Sequence, residues 1–195
     1  MNKTLDLLDS DAEEVIWQIG AHFGVECKWH AENNPNWTFH LFEPNPEAYR
    51  TLVNNFYLLP NVSLYKLAVV DHSSRYTDFY IPTKPNGEEW FDQVAGLTPT
   101  VANGFGLEPK RIKVAAVPYW RLAHITRSLP SCILIDTEGE DYRFFPLIKN
   151  RRPKIVQFEF IHMSSHIEKC YEQLRAWDYS FGGRRDIDEI WLRNS

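Results

Sequence analysis

Val15-Ile16-Trp17-Gln18-Ile19-Gly20-Ala21-His22-Phe23-Gly24 is the stretch on which the fold turns. A mostly apolar run ends on one glycine, and a second glycine follows four positions later. Such a run reads as a strand of a parallel sheet, because a strand covered on both faces is apolar nearly throughout rather than strictly alternating. The two glycines let the chain reverse tightly and let a helix start close to a bound ligand. That helix is expected around Phe23 to Ala31, with Asn33-Asn34-Pro35-Asn36 breaking it.

The same alternation of strand and helix continues downstream. A second strand reads Thr38 to Glu43. Asn45 then stands as N-cap with Pro46 at the first helical position, and Tyr49, Leu52, Val53 and Phe56 form one apolar face before Pro60. Strands are expected over Val62 to Val70, Tyr76 to Ile81, Arg111 to Val117, Cys132 to Asp136 and Ile155 to Phe160. Tyr119 to Arg127 and Tyr142 to Lys149 read as helices. Ser165 and Glu168 suggest a capping box for a helix whose face carries Ile167, Tyr171, Leu174 and Trp177. Gly182-Gly183 is read as the turn into a last strand, Ile187 to Leu192. The pattern predicts one α/β domain over residues 1–195, a three-layer αβα stack with a mostly parallel sheet and an antiparallel hairpin at one edge.

Composition narrows the function. Apolar residues make up 44% and charged residues 24%, as expected of a chain able to build a core of ordinary size. The formal net charge is −5 and no Lys/Arg stretch is long enough for a phosphate-tracking stripe, Arg151-Arg152 and Arg184-Arg185 being isolated pairs, which speaks against nucleic-acid binding. No run approaches the roughly 18 apolar residues of a membrane span, so no membrane partner is expected. Met1 to Asp6 lacks the pattern of a secretory leader. Cys27, Cys132 and Cys170 are odd in number and widely spaced, which fits buried thiols in a reducing, cytoplasmic setting rather than disulfides or a zinc motif. In that setting the sequons at Asn2, Asn36 and Asn61 carry no sugar.

In open α/β sheets ligands bind at the carboxyl ends of the strands, where strand order reverses. Gly20 and Gly24 follow the first strand, and Glu43 ends the second, 23 residues beyond Gly20. An acid at about that spacing can accept hydrogen bonds from the hydroxyls of a ribose. The same residues also fit a plain tight turn and a solvated acid. The three-glycine fingerprint of a pyrophosphate site is missing, which favours a nucleoside without phosphates.

Three further stretches carry a family resemblance. Phe42-Glu43-Pro44-Asn45-Pro46-Glu47-Ala48-Tyr49 resembles the FEPNPEAF segment of FkbM-type methyltransferases. Leu67-Ala68-Val69-Val70-Asp71 is similar to the family's AVGD or ALSD, and Ile135-Asp136-Thr137-Glu138-Gly139-Glu140-Asp141 to IDVEGAE. Val15 to Gly24 stands where VIDIGANIG is usual, so the resemblance runs in order from about residue 15 to residue 162. It implies a Rossmann-like methyltransferase fold and transfer of a methyl group from S-adenosylmethionine, commonly to a hydroxyl of a sugar, glycan or small metabolite.

By position, the resemblance places Gln18, Gly20, Ala21, His22 and Gly24 at the methionine part of that cofactor. Glu43 and Pro44 fall at the ribose, Ala68 and Val69 beside the adenine with Asp71 close by, and Asp136 near the sulfonium. The sequence departs from the family at Gln18, where an Asp is usual, at His22, where an Asn is usual, and at Leu134, where a Lys often stands. Gln18 implies the loss of one charged contact near the cofactor's amino group.

Methyl transfer is an in-line displacement, so the protein must align the acceptor and remove its proton. Asp136, Glu138, Glu159 and His162 are the candidate bases, all expected on one rim of the sheet. Glu159 and His162 have the Glu-x-x-His order of a metal pair. With no helix beneath them, that spacing is read as separating the two, and no metal is expected. Residues 82–108 are rich in breakers, and with Trp90, Phe91 and Phe105 they suggest a lid over the acceptor or a plain surface loop. The short ends leave the acceptor to this segment or to a partner. Arg184-Arg185 is a candidate contact for an anionic group. Two alternatives stay open: a non-catalytic binding or scaffolding domain on the same fold, and a nicotinamide-dependent oxidoreductase resting only on the first turn and Glu43.

Overall fold

The computed structural model describes residues 3–83, 94–163 and 166–194. Trp90, Phe91 and the proposed cap Ser165 lie outside them. The main sheet of the described residues has seven strands. The first is β1 (Val15–Ile19), paired in parallel with β2 (Thr38–Phe42) on one side and β7 (Cys132–Ile135) on the other. Beyond β2 lies β3 (Val62–Tyr65), and beyond β7 come β8 (Ile155–Glu159), β10 (Asp188–Arg193) and β9 (Tyr179–Arg185). The last two run antiparallel to their neighbours, so the expected edge hairpin is present. The chain builds outward from β1 to β3, then returns to start again at β7. The reversal of strand order therefore falls between β1 and β7.

Residue alternation in the central strands explains the layers. Ile16, Phe39, Leu41, Cys132, Leu134 and Ile155 point to one face, where they pack with α1 (Val25–Asn33) and α2 (Pro46–Phe56). Trp17, Ile19, Phe42, Ile133, Ile135, Val156 and Phe158 point to the other, against α4 (Leu122–Thr126), α5 (Phe145–Arg151) and α6 (Ile167–Ala176). Each such buried side chain contributes about 1.5–3 kcal/mol. The three cysteines are free and buried, Cys27 and Cys132 on the first face and Cys170 on the second. Asn45 caps α2 as expected, its Oδ1 accepting the Glu47 N–H at 3.1 Å.

Several expectations need correction. Val62 to Val70 is two strands: after β3 the chain leaves the main sheet, and β4 (Ala68–Val70) joins a small second sheet with β6 (Pro109–Pro118) and β5 (Tyr76–Pro82). The break falls where Leu67 N–H turns back to Tyr65 O. Gly182-Gly183 does not make the hairpin turn but lies inside β9, where Gly182 is the extra residue of a bulge facing Ile190 and Trp191. A Cβ on Gly182 would stand 2.9 Å from Leu192 Cγ, so that glycine serves a close strand approach. The turn itself falls at 186–187, with Asp186 at φ +52°. The described part of 82–108 carries backbone pairing and a short helix of its own. Tyr80 and Gly96 exchange both backbone hydrogen bonds, and α3 (Thr100–Gly104) follows.

Candidate functional site

At the switch between β1 and β7 the two backbones nearly touch. A Cβ on Gly20 would stand 1.7 Å from the Asp136 carbonyl oxygen, and Gly20 itself sits at φ +80°. Only glycine fits there. The N–H groups of Gly20 and Ala21 both donate to Phe42 O at 3.0 Å, which locks the turn onto the end of β2. Above this junction opens a cavity of about 430 Å³.

Gln18, Gly20, Ala21, His22, Glu43, Pro44, Ala68, Val69, Asp136 and Glu138 all border it, so most of the expected residues converge. Two do not. Gly24 stands at φ +73° as the residue before α1, and a Cβ there would meet Phe56 at 2.3 Å and Leu52 at 2.6 Å. Its role is to let α1 lie against α2. Asp71 faces away and pairs with Arg143 at 3.1 Å, an arginine that also binds Glu140. Leu134 is buried beneath the sheet rather than at the cavity, so its departure from the family pattern leaves the site untouched.

Glu43 is the best-defined acid of the site. It is 4% exposed; Oε2 accepts the His22 N–H at 2.6 Å and Oε1 the Asn45 N–H at 2.7 Å. Burial pushes its carboxyl up to about 7, against those two donors. Each oxygen keeps a lone pair for a further hydroxyl donor.

At the other end of the cavity Gln18 donates to Glu26 Oε2 at 3.3 Å and accepts from the Cys27 thiol at 3.1 Å. Glu26, on α1, therefore brings back a carboxylate where Gln18 has none, and burial raises its carboxyl above the ordinary value. Arg185 approaches Glu26 at 3.8 Å, and its Nη1 is buried without a hydrogen bond among the described residues. Arg185, Asp186, Ile187 and Asp188 reach the cavity from the tip of the β9–β10 hairpin. Sequence reasoning missed Glu26 because it lies inside α1 rather than directly after a strand, and Asp188 because it opens an antiparallel strand. Arg185 entered as half of the Arg184-Arg185 pair, a candidate contact for an anionic group, and of the two only Arg185 borders the cavity.

On the β7 and β8 rim the acids crowd together. Asp136 is exposed where it opens to the cavity, with protein packed around its base. That packing, with the charges of Glu138, Asp141, Glu159 and Asp188, pushes its carboxyl well up. Burial, and then Asp141, raises Glu138 to about 8. Asp141 is the tie between strands: Oδ1 accepts the Thr137 N–H at 2.8 Å and the Thr137 hydroxyl, and Oδ2 the Glu159 N–H at 2.9 Å.

Glu159 and His162 are not kept apart, contrary to the expectation from their spacing. The chain folds back in a turn at once after β8, and His162 Nδ1 comes to 2.7 Å from Glu159 Oε1 and 3.5 Å from Glu138 Oε2. A tight turn returns the fourth residue over the first, as a helix would. Both lie behind Glu138 rather than at the cavity wall. Phe105, of the segment read as either a lid or a surface loop, is half exposed and meets the His162 ring edge-on at 6.4 Å, while Ala95, Gly96 and Leu97 line the cavity.

Among the described residues no helix is long and apolar enough to cross a membrane. Comparison with known proteins agrees with this geometry. Solved structures of similar fold include a precorrin-6y C5,15-methyltransferase from Geobacter metallireducens, at TM-score 0.54 and 13% identity over 98% of this chain and 84% of that one. An rRNA methylase from Streptococcus thermophilus gives TM-score 0.54 at 8% identity, over 98% and 92%. The Methanococcus jannaschii fibrillarin pre-rRNA processing protein gives 0.54 at 10%, over 96% and 69%. At such identities the likeness is one of fold, a Rossmann-like methyltransferase fold. No curated protein sequence matches the chain. Residues 18–184 match the methyltransferase FkbM domain, and the chain belongs to that family.

Proposed function

We propose that this protein transfers the methyl group of S-adenosylmethionine to a hydroxyl oxygen of a small acceptor, with sugars and glycans the leading class. The observation that carries the reading is Glu43, buried at the end of β2 with both oxygens pre-set by backbone N–H groups and still able to accept from two ribose hydroxyls. The cavity suits the rest of that cofactor. Ala68, Val69, Phe79 and Leu97 offer an apolar slot for the adenine at one end. At the other, Glu26 is placed for the amino group, and the Arg185 guanidinium for the carboxylate of the methionine part.

When bound, the cofactor supplies an activated methyl on a sulfonium, and the chain does the remainder. Asp136, which opens to the cavity, favours positive charge beside it and is placed to take the acceptor's proton. Glu138 stands next to it to orient the hydroxyl. Ala95, Gly96 and Leu97 cover the cavity beside them and limit water. The non-catalytic alternative drew on Gln18, His22 and Leu134. Glu26 beside Gln18 and the buried position of Leu134 weaken that case.

The test is incubation with methyl-labelled S-adenosylmethionine and a panel of sugars, oligosaccharides and hydroxylated metabolites, read by mass spectrometry. A base-stable methyl ether on at least one acceptor is expected with the native chain and not with Glu43→Ala. Cofactor binding without any labelled product across the panel would sink the hydroxyl-acceptor reading and favour a binding domain.

A further inference from the structure

We infer that Glu138, Glu159 and His162 form a binding site for one divalent transition-metal cation, of the Mn²⁺ or Zn²⁺ type, directly behind the cavity wall at Glu138. One ligand atom from each residue falls within 4.8 Å of the other two. Glu159 is 1% exposed, and neither of its carboxylate oxygens has a hydrogen-bond donor among the described residues. Glu138 Oε2 and His162 Nδ1 are likewise buried without hydrogen bonds. A buried carboxylate with no donor is strongly disfavoured, so the arrangement calls for a cation.

The geometry of the cluster points the same way. His162 Nδ1 and Glu159 Oε1 are 2.7 Å apart, close enough for a hydrogen bond, yet not aligned to make one. Two donor atoms in contact but aimed past each other are what neighbouring ligands of a common ion look like. The backbone is shaped around this placement. Glu138 sits at φ +56°, an uncommon conformation for a residue with a side chain. Gly139 follows at φ +86°, and a Cβ on it would stand 2.9 Å from the His162 carbonyl oxygen. The loop after β7 and the turn after β8 are thereby interlocked, and Asp141 ties them again through Thr137 and the Glu159 N–H.

Two carboxylates and one imidazole form a mixed oxygen and nitrogen set. It suits Mn²⁺ or Zn²⁺ better than Ca²⁺ or Mg²⁺, which prefer oxygen alone. Three protein ligands leave coordination positions open. Glu138 is the member that borders the cavity, so an acceptor would reach the ion past that residue. Resting on the methyl-transfer reading, the ion would hold the acceptor hydroxyl and ease loss of its proton to Asp136.

The test uses the whole chain, stripped with chelator and titrated with Mn²⁺ in the absence of cofactor and acceptor. Free ion is followed by electron paramagnetic resonance, with Zn²⁺ as competitor. One ion per chain is expected, displaced by Zn²⁺, with affinity lowered at least about tenfold in Glu159→Gln and in His162→Ala. Glu43→Gln should bind the ion as the native chain does. If Glu159→Gln does not fold, His162→Ala, at the accessible side of the cluster, decides alone. A folded native chain that takes up no stoichiometric ion overturns the proposal, as does binding that survives both substitutions. Calorimetry with S-adenosylmethionine on the same protein separates the two readings. Cofactor binding without metal binding removes only the ion, and metal binding without cofactor binding removes only the methyl-transfer reading.

Discussion

Glu43 is a carboxylate held under two backbone N–H groups with almost no water, and its proton affinity follows from that conflict. Raised to about 7, it is protonated in the ligand-free protein at mildly acidic pH, whereas ribose hydroxyls need it ionised. Affinity for S-adenosylmethionine is therefore expected to fall below pH 7, by at most about tenfold per pH unit. Binding at pH 6 should release a proton, seen as calorimetric heat that varies with the ionisation enthalpy of the buffer. Glu43→Gln should bind more weakly and without that release. The stability of the ligand-free chain runs the other way. The folded state holds this proton more tightly, so the stabilisation is full below the ordinary value of 4.5 and is lost as pH rises through about 7.

Gly20 and Gly24 look equivalent in the sequence, and they do different things. Gly20 cradles the junction of β1 and β7, while Gly24 fits α1 against Phe56 and Leu52. Gly24→Ala is expected to lower stability by on the order of 2 kcal/mol while a folded protein still binds the cofactor. Urea denaturation and calorimetry on the same variant would check both halves. Loss of binding without loss of stability would return Gly24 to the cavity.

At the scale of elements, β1, β2, α2, β7 and β8 were legible because each has an apolar run or a cap of its own. What sequence could not show was partnership. Nothing in Val62 to Val70 says that its second half pairs with β6 in another sheet, since a continuous apolar run satisfies either neighbour. Glu159 and His162 were separated for a similar reason, because their meeting depends on a turn whose hydrogen bonds lie outside the stretch, such as Phe160 N–H to Ile187 O.

His40 on β2 shows an element's dependence on distant pieces. Its ring nitrogens reach the Tyr65 hydroxyl of β3 at 3.1 Å and Ser128 Oγ, just after α4, also at 3.1 Å. Burial lowers its pKa from 6.5 to about 4, so the folded chain resists protonation. The neutral ring's contribution is complete above pH 6.5 and lost as pH falls toward 4, a change of up to about 3 kcal/mol. His40→Asn should flatten that part of the stability profile between pH 7 and 4 in urea denaturation. An unchanged slope would assign it elsewhere.

For the whole molecule, the layer order follows from alternation within single strands: neighbouring residues such as Cys132 and Ile133 enter different cores. The sheet separates two apolar compartments that need not loosen together. The buried cysteines happen to be distributed between them, and burial pushes their thiols up, that of Cys170 to about 12. In the native state they should hardly react with an aromatic disulfide reagent, since thiolate is the attacking species. Under increasing urea, simultaneous release of all three would show that both compartments melt as one. Early modification of Cys170 alone would show that the α6 side opens first while the α1 side stays shut. The thiols thus act as two internal clocks, one for each side of the sheet, and their order of labelling would tell which half of the protein gives way before the other.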